Sequence, residues 1–315
     1  MGGMGEWAHN SQDSLTSHTF RVTFNLAEMP DTIHTVGIMS KQRPQEVRAA
    51  LTGLLAWLRS HDLEAVMDLE TAAALGSKAG VTREGFPDVD LVVVVGGDGT
   101  LLSATRALAG RDIPVLAVNL GSLGFLTPIT LDQMYPMLER VLAGRYEEER
   151  RRILQVSLIR EGVTIETYHP LNDAVINKAA IARILDFEVA VDGQDISTYK
   201  ADGLIFSTPT GSTAYSLAAG GPVIYPDVHA LLITPICSHT LNHRPLVLPD
   251  HSTIEVVVHS HEESVHLTAD GQVGMPVQHR DRIVCQRSPR VLRLVRPQST
   301  GYFEILRNKL SWGQR

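Results

Sequence analysis

Five consecutive residues, Gly96-Gly97-Asp98-Gly99-Thr100, follow directly on the apolar run Leu91 to Val95 (LVVVV) and precede a stretch with helical spacing. Three glycines in four positions leave backbone N–H groups unobstructed and permit positive φ. A strand that runs into such a turn and then into a helix makes a phosphate cradle, because unpaired N–H groups and the helix dipole both favour anions. A lone carboxylate inside that cradle would repel its guest unless it coordinates Mg²⁺ or takes a proton from an attacking hydroxyl. Asp98 is therefore a candidate catalytic base, with Gly96, Gly97, Gly99 and Thr100 around the phosphates. The alternative is a glycine turn whose Asp caps the next helix. A Walker A sequence is absent.

A second glycine-rich segment, KADGLIFSTPTGSTAYSLAAGG, runs from Lys200 to Gly221. Its run of hydroxyls from Ser207 to Thr213 offers donors without fixed charge, which suits a nucleoside or a phosphate better than a metal. Tyr215, just beyond, could stack on a base. The alternative is an ST-rich turn leading into a closely packed small-residue helix. Asn172-Asp173 places an amide beside a carboxylate, a combination that reads an adenine edge and holds a ribose diol, although such a pair by itself is also a common turn. Asp270-Gly271-Gln272 has the same ambiguity, since Asp-Gly is a hairpin signal.

Two rhythms of hydrophobic spacing position these residues. Before about residue 145, strands alternate with helices: Thr35 to Met39, a helix from Pro44 to Leu58, Leu63 to Met67, Leu91 to Val95, a short helix from Leu101 to Leu108, and Ile113 to Val118. Continuous β-branched runs mark strands buried on both faces of a parallel sheet. A helix from Leu131 to Ala143 follows, with a Thr130-x-x-Gln133 capping box. From Ile153 the period becomes two, with turns expected at Glu161-Gly162 and Asp192-Gly193 and short strands at Ile254 to Val258, Val265 to Leu267, Ile283 to Cys285 and Val291 to Val295. The expected fold is an α/β N-terminal domain, 35–145, plus an all-β, sandwich-like C-terminal domain, 146–295.

The 315 residues carry a net charge of −7, with 43% apolar residues, and no run of eighteen apolar residues. Neither a membrane span nor a nucleic-acid partner is expected. The polar start does not read as a signal peptide, and the two cysteines, Cys237 and Cys285, have no metal-ligand or framework spacing. A cytoplasmic location follows by default.

The order of motifs resembles the NAD kinase family: GGDGT, then Gly121-Ser122-Leu123-Gly124-Phe125-Leu126, the Asn-acid pair, DGLIFSTPTGSTAYSLAAGGP, Thr234-Pro235-Ile236-Cys237, and Asp270-Gly271-Gln272. GGDGT alone is shared with lipid kinases, whereas STPTGSTAYSLAAGGP is far more specific. The resemblance implies a two-domain kinase that transfers the γ-phosphoryl of ATP to the adenosine ribose 2′-hydroxyl of NAD, with Mg²⁺ arriving on ATP. It implies that Asp98 is the base, with Gly99 beside it, and that Asn172 and Asp173 bind adenine and ribose. Thr210, Thr213, Ala214 and Tyr215 match its adenine loop. Asp202, Ser216, Leu217, Ala218 and Gln272 match further NAD-contacting positions, and Arg183 and Lys200 fall where many bacterial members carry a basic or polar contact. The family pair is usually Asn-Glu; here it is Asn-Asp, one methylene shorter. The resemblance further implies a homodimer or homotetramer and a last segment, 296–315, that straps back onto the first domain. Residues 1–34 form an extension with no counterpart in the family, expected to be disordered or to reflect a misplaced start.

Overall fold

The computed structural model describes residues 33–41, 44–108, 110–121, 124–178, 184–240, 242–260, 265–296 and 301–312. Almost all of the N-terminal extension, 1–32, lies outside the described residues, as does Arg183.

The first half alternates as its hydrophobic spacing dictates: β1 (Thr35–Ser40), α1 (Pro44–Ser60), β2 (Glu64–Met67), α2 (Leu69–Ala74), β3 (Leu91–Val95), α3 (Asp98–Leu108), β4 (Pro114–Asn119), β5 (Ile129–Thr130) and α4 (Leu131–Leu142). Every side chain of β3 and β4 is buried. The reason is that helices cover both faces of the sheet: Val47, Leu51, Leu54 and Leu58 of α1 pack with Met134, Leu138 and Val141 of α4 on one face, and Leu101, Ala104 and Leu108 of α3 on the other. The capping-box glutamine is in place, with the Thr130 N–H donating to Gln133 Oε1 at 3.2 Å. Helix α2 was not legible in the sequence; at six residues it is too short to show a period.

The second half holds β6 (Glu147–Arg160), β7 (Val163–Tyr168), β8 (Asp173–Lys178), β9 (Leu185–Val191), β10 (Gln194–Ala201), β11 (Gly203–Ser207), a 3₁₀ turn (Thr210–Thr213), α5 (Tyr215–Ala218), β12 (Ala230–Ile236), β13 (Leu246–Pro249), β14 (Ile254–His259), β15 (Val265–Ala269), β16 (Val273–Val277), β17 (Arg282–Arg296) and α6 (Tyr302–Leu310). One sheet here has the order β13-β12-β11-β8-β15-β16. It faces β9, β10, β14, β6 and β17 across a core that includes Phe187, Phe206, Ile176, Leu204, Val256 and Ile283. The expected hairpin turns carry positive φ at both residues: Glu161 and Gly162, Asp192 and Gly193, and Asp270 and Gly271.

Two expectations need correction. Ile283 to Cys285 and Val291 to Val295 are not separate strands but parts of one, β17, with a register shift between Arg287 and Val291. That irregularity bends the strand, so that its first part pairs with β14 while Arg293 and Leu294 pair in parallel with Pro114 and Val115 of β4. A single eleven-stranded sheet therefore runs through both halves of the chain. The second correction is the start of α3, which begins at Asp98 rather than Leu101 and so takes the carboxylate into its first turn.

Candidate active site

The parallel strands run in the order β2-β1-β3-β4, so the chain moves outward in opposite directions from β1 and β3. Such a reversal opens a crevice at the carboxyl ends of the strands, where α/β sheets bind ligands. The GGDGT turn leaves β3 at that crevice. Around Asp98 the geometry is specific. Its Oδ2 accepts from the Phe125 N–H at 3.0 Å, and its Oδ1 accepts from the Leu126 N–H at 3.1 Å and the Thr127 hydroxyl at 2.9 Å. Asn119, at the end of β4, supports Thr127 by donating from Nδ2 to its Oγ1 at 2.8 Å. Asp98 does not spend its carboxylate on capping its own helix; it is locked to the segment Gly124 to Thr127. A carboxylate offers about four lone-pair sites. Three are taken, leaving one for an incoming hydroxyl.

The three other candidate motifs converge beside this turn. Asp270 accepts from the backbone N–H groups of Leu171, Asn172 and Asp173 at 3.0, 2.8 and 3.3 Å, so the Asp-Gly hairpin turn and the Asn-Asp pair are one unit. Asn172, Asp173, Ala214, Tyr215, Asp270 and Gly271 line an open cleft of ≈ 310 Å³. The Asn172 side-chain oxygen is buried with no hydrogen-bond partner among the described residues. A buried acceptor of this kind costs stability unless a ligand donor meets it. Gln272 then joins cleft to turn: its Nε2 donates to the Gly99 carbonyl at 2.8 Å, and its Oε1 accepts from Arg106 at 2.9 Å.

Of the two readings of the hydroxyl-rich run, the hydrogen bonds follow the ST-rich turn and not hydroxyls facing a ligand. Ser207 donates to the Thr208 carbonyl, Thr208 to the Leu171 carbonyl at 2.7 Å, Ser212 to the Pro209 carbonyl at 2.6 Å, and Thr213 to the Thr210 carbonyl at 3.3 Å. Ser216 is fully buried against Thr234 at 2.8 Å, and Thr210 is buried with Arg151 3.5 Å from its Oγ1. The physical reason is the tightness of the turn, whose backbone groups need local partners that short hydroxyl side chains supply. Gly211 shows how tight it is, since a Cβ there would sit 2.1 Å from the Asn172 carbonyl oxygen. What the loop turns outward is Ala214, Ala218 and the Tyr215 ring, which is 44% exposed, with Leu217 half-buried beside them.

Lys200 and Asp202 lie further out. The Lys200 ammonium is 4.0 Å from Asp186 across the β9–β10 pair, and Asp202 pairs with Lys178 at 2.8 Å. Neither residue is among those lining the cleft around Asp173. Among the described residues no group of three or more His, Cys, Asp or Glu is placed to hold a metal ion.

Burial pushes the Asp173 carboxyl up from 3.8 to about 7, with the Asp270 charge adding to the rise and the Tyr215 N–H opposing it. Burial raises Asp270 as well, against three amide donors and Arg106. In the unfolded chain Asp173 titrates near its ordinary value, so between about pH 4 and 7 the native state binds the extra proton. Stability then falls as pH rises through that window and levels off above it. Asp173→Asn, which carries no charge to bury, is expected to be more stable than the parent at pH 8 and close to it at pH 4.5. Urea unfolding at the two values measures the difference, and an equal difference at both would refute it.

Asn119, Gly124, Thr127 and Arg106 escaped the sequence reading as functional residues. Gly124 was quoted only as part of a motif, and its reason is steric: a Cβ there would lie 2.1 Å from Asp98 Oδ1. For Arg106 the available signal was its place two turns beyond Asp98 on the same helix.

An α/β sheet that presents a glycine-rich, carboxylate-bearing turn to a cleft in a β-sandwich defines a two-domain kinase acting on a hydroxyl. Residues 36–146 match the ATP-NAD kinase N-terminal domain and residues 171–297 match the ATP-NAD kinase C-terminal domain. The chain belongs to the ATP-NAD kinase family. It is 48% identical to the NAD kinase of Solibacter usitatus over 90% of this chain and 99% of that one. It is 52% identical to the NAD kinase of Geotalea daltonii over 83% and 93% of the two chains. The crystal structure of yeast NADH kinase complexed with NADH superposes with a TM-score of 0.81, at 25% identity, over 90% of this chain and 89% of that one.

Proposed function

We propose that this chain phosphorylates NAD to NADP with ATP, and that Asp98 is its general base toward the adenosine ribose 2′-hydroxyl. The observation that carries the reading is the Gln272 bridge, which fixes the adenine-suited cleft of Asn172, Asp173 and Tyr215 against the turn that bears Asp98. Phosphoryl transfer asks the protein mainly for positioning and charge stabilisation. In this reading the amides of Gly97 and Gly99 hold the phosphates of MgATP, with magnesium entering as part of that substrate. The Gly96 N–H is spent on the Val118 carbonyl and the Thr100 N–H on the Gly97 carbonyl, both at 2.9 Å, so those two residues shape the turn rather than donate to phosphate as the sequence suggested. Asn172 and Asp173 hold adenine and ribose, and the backbone and outward side chains of Thr213 to Ala218 line the base. Thr210 and Ser216 shape the loop from beneath it. Lys200 and Asp202, further out, act toward the other end of the dinucleotide, and Arg183 is a further NAD contact that the family resemblance implies. Asp98, with one lone-pair site free, accepts a hydrogen bond from the hydroxyl and takes its proton as the new P–O bond forms.

The test is to incubate the protein with MgATP and NAD and to quantify NADP. NADP formation that stops when magnesium is chelated supports the reading; tight NADP binding without any turnover would replace it with a non-catalytic dinucleotide-binding regulator. A lipid or sugar kinase would instead turn over a diacylglycerol or a hexose and leave NAD untouched. Replacing Gln272 by Ala removes two hydrogen bonds between cleft and turn, each worth ~0.5–1.5 kcal/mol. The KM for NAD is expected to rise roughly 5- to 150-fold on that figure, with a smaller change in kcat. An unchanged KM would remove the bridge from the account. We place the reaction in the cytoplasm and assign the working unit as a homodimer or homotetramer. Among the described residues no helix is long and apolar enough to cross a membrane.

A further inference from the structure

Behind the catalytic helix lies a second cavity, of ≈ 240 Å³, between the C-terminal half of α3, the end of β7 and the bend of β17. Two arginines line it, Arg106 and Arg290, together with His169 and Tyr168. Arg106 is partly buried, and its hydrogen-bond partners are neutral: Gln272 Oε1 at 2.9 Å and Ser103 Oγ at 3.5 Å. Ser103 Oγ is shared with a further cation, because Arg83 donates to it at 2.5 Å while pairing with Asp68 at 2.7 Å. Arg83 is thus neutralised; among the described residues neither Arg106 nor Arg290 makes an ion pair within 4.0 Å, and the carboxylate whose charge reaches Arg106 from further off is the buried Asp270.

Arg290 is also seated. Its stem crosses Gly110, where a Cβ would lie 2.3 Å from Arg290 Cγ, so the side chain is laid over bare backbone. Its charge reaches the neighbouring imidazole: burial lowers the His169 pKa, and the Arg290 guanidinium lowers it further. The one carboxylate at the cavity, Glu166, is exposed and accepts from the Thr167 N–H at 2.9 Å. Two cations lining one cavity without a close ion-paired carboxylate are stabilised by an anion, and planar guanidiniums match the oxygens of phosphate. The volume lies below the ~300–1,000 Å³ typical of sites for drug-sized ligands. It suits a phosphoryl group or two, not a dinucleotide.

We propose that this cavity is a binding site for a phosphate-type oxyanion, held between Arg106 and Arg290 and separate from the cleft around Asp173. Because Arg106 also holds Gln272, an occupant here touches the bridge that fixes the cleft against the Asp98 turn. The anion is either free in solution or the phosphate end of a nucleotide substrate, and the two sources separate by experiment.

The probe is sodium pyrophosphate, titrated calorimetrically into the full chain with NAD saturating. Arg290→Gln is expected to weaken pyrophosphate binding at least tenfold, and Arg290→Lys to restore part of it; thermal midpoints of both variants within a few degrees of the parent show that the fold is kept. If the KM for ATP is unchanged in Arg290→Gln, the occupant is a free oxyanion. If that KM rises together with the loss of pyrophosphate binding, the donor nucleotide's phosphates reach the cavity. Equal pyrophosphate affinity in parent and Arg290→Gln, or no binding to the parent, overturns the proposal.

Discussion

Asp98→Asn is expected to lower kcat by ~10²–10⁴-fold, the range general-base assistance contributes, while the KM for NAD stays within a few-fold of the parent. The structure makes the substitution informative for a second reason. The carboxylate receives N–H donors on both oxygens, from Phe125 on one and Leu126 on the other. An asparagine amide keeps one acceptor and must aim its NH₂ at one of those N–H groups. A stability loss of ~1–3 kcal/mol is expected from that unmet donor, a few degrees in thermal midpoint for a chain of this size. Steady-state kinetics with a parallel melt separate the two effects. If the folded variant turns over at near-parental kcat, Asp98 is not the base and the turn only positions phosphate.

Gly124→Ala tests the same carboxylate without altering it. The added Cβ would come within 2.1 Å of Asp98 Oδ1 and 2.3 Å of Thr127 Oγ1. Neither atom moves freely, because Thr127 is held by Asn119 and Asp98 by the backbone of Phe125 and Leu126. The methyl group therefore displaces the carboxylate, the loop, or both. Misplacement of a reacting group by about 1 Å can cost ~10²-fold, and the overpacking itself costs about 1–3 kcal/mol. Gly97→Ala is the control, since a Cβ at that position meets nothing within 4 Å. It is expected to keep the parental thermal midpoint and to raise the KM for ATP, because the methyl group points into the space assigned to the donor phosphates. Should Gly124→Ala retain parental kcat, the loop from Gly124 to Thr127 is not what positions Asp98.

The part of the fold that rests on local chemistry was legible in the chain. The LVVVV run, the helical spacing of α1 and α4, and the Glu161-Gly162, Asp192-Gly193 and Asp270-Gly271 turns each depend on residues close in sequence. Their physics is that of periodicity, β-branching and positive φ, none of which needs a distant partner. The candidate residues were legible for the same reason: Asp98 among glycines and Asn172 beside Asp173 are short-range patterns.

What the sequence could not show is where long-range partners send each group. Asp98 as a helix cap and Asp98 as a catalytic base are the same residues in the same order. What takes Asp98 away from its own helix is a set of donors 27 to 29 positions away. The hydroxyls from Ser207 to Thr213 read in the chain either as ligand donors or as an ST-rich turn, and most turn inward, because a tight loop above the Asn172 backbone consumes them. Gln272 lies 173 positions from Gly99, and only the approach of the β15–β16 turn to the first turn of α3 makes it a bridge. By itself, the amino-acid sequence determined which residues are candidates for the chemistry and which family the chain resembles. The tertiary structure decided which of those side chains face the cleft and which hold it in shape, because hydrogen bonds between distant segments are settled only when the sheets close.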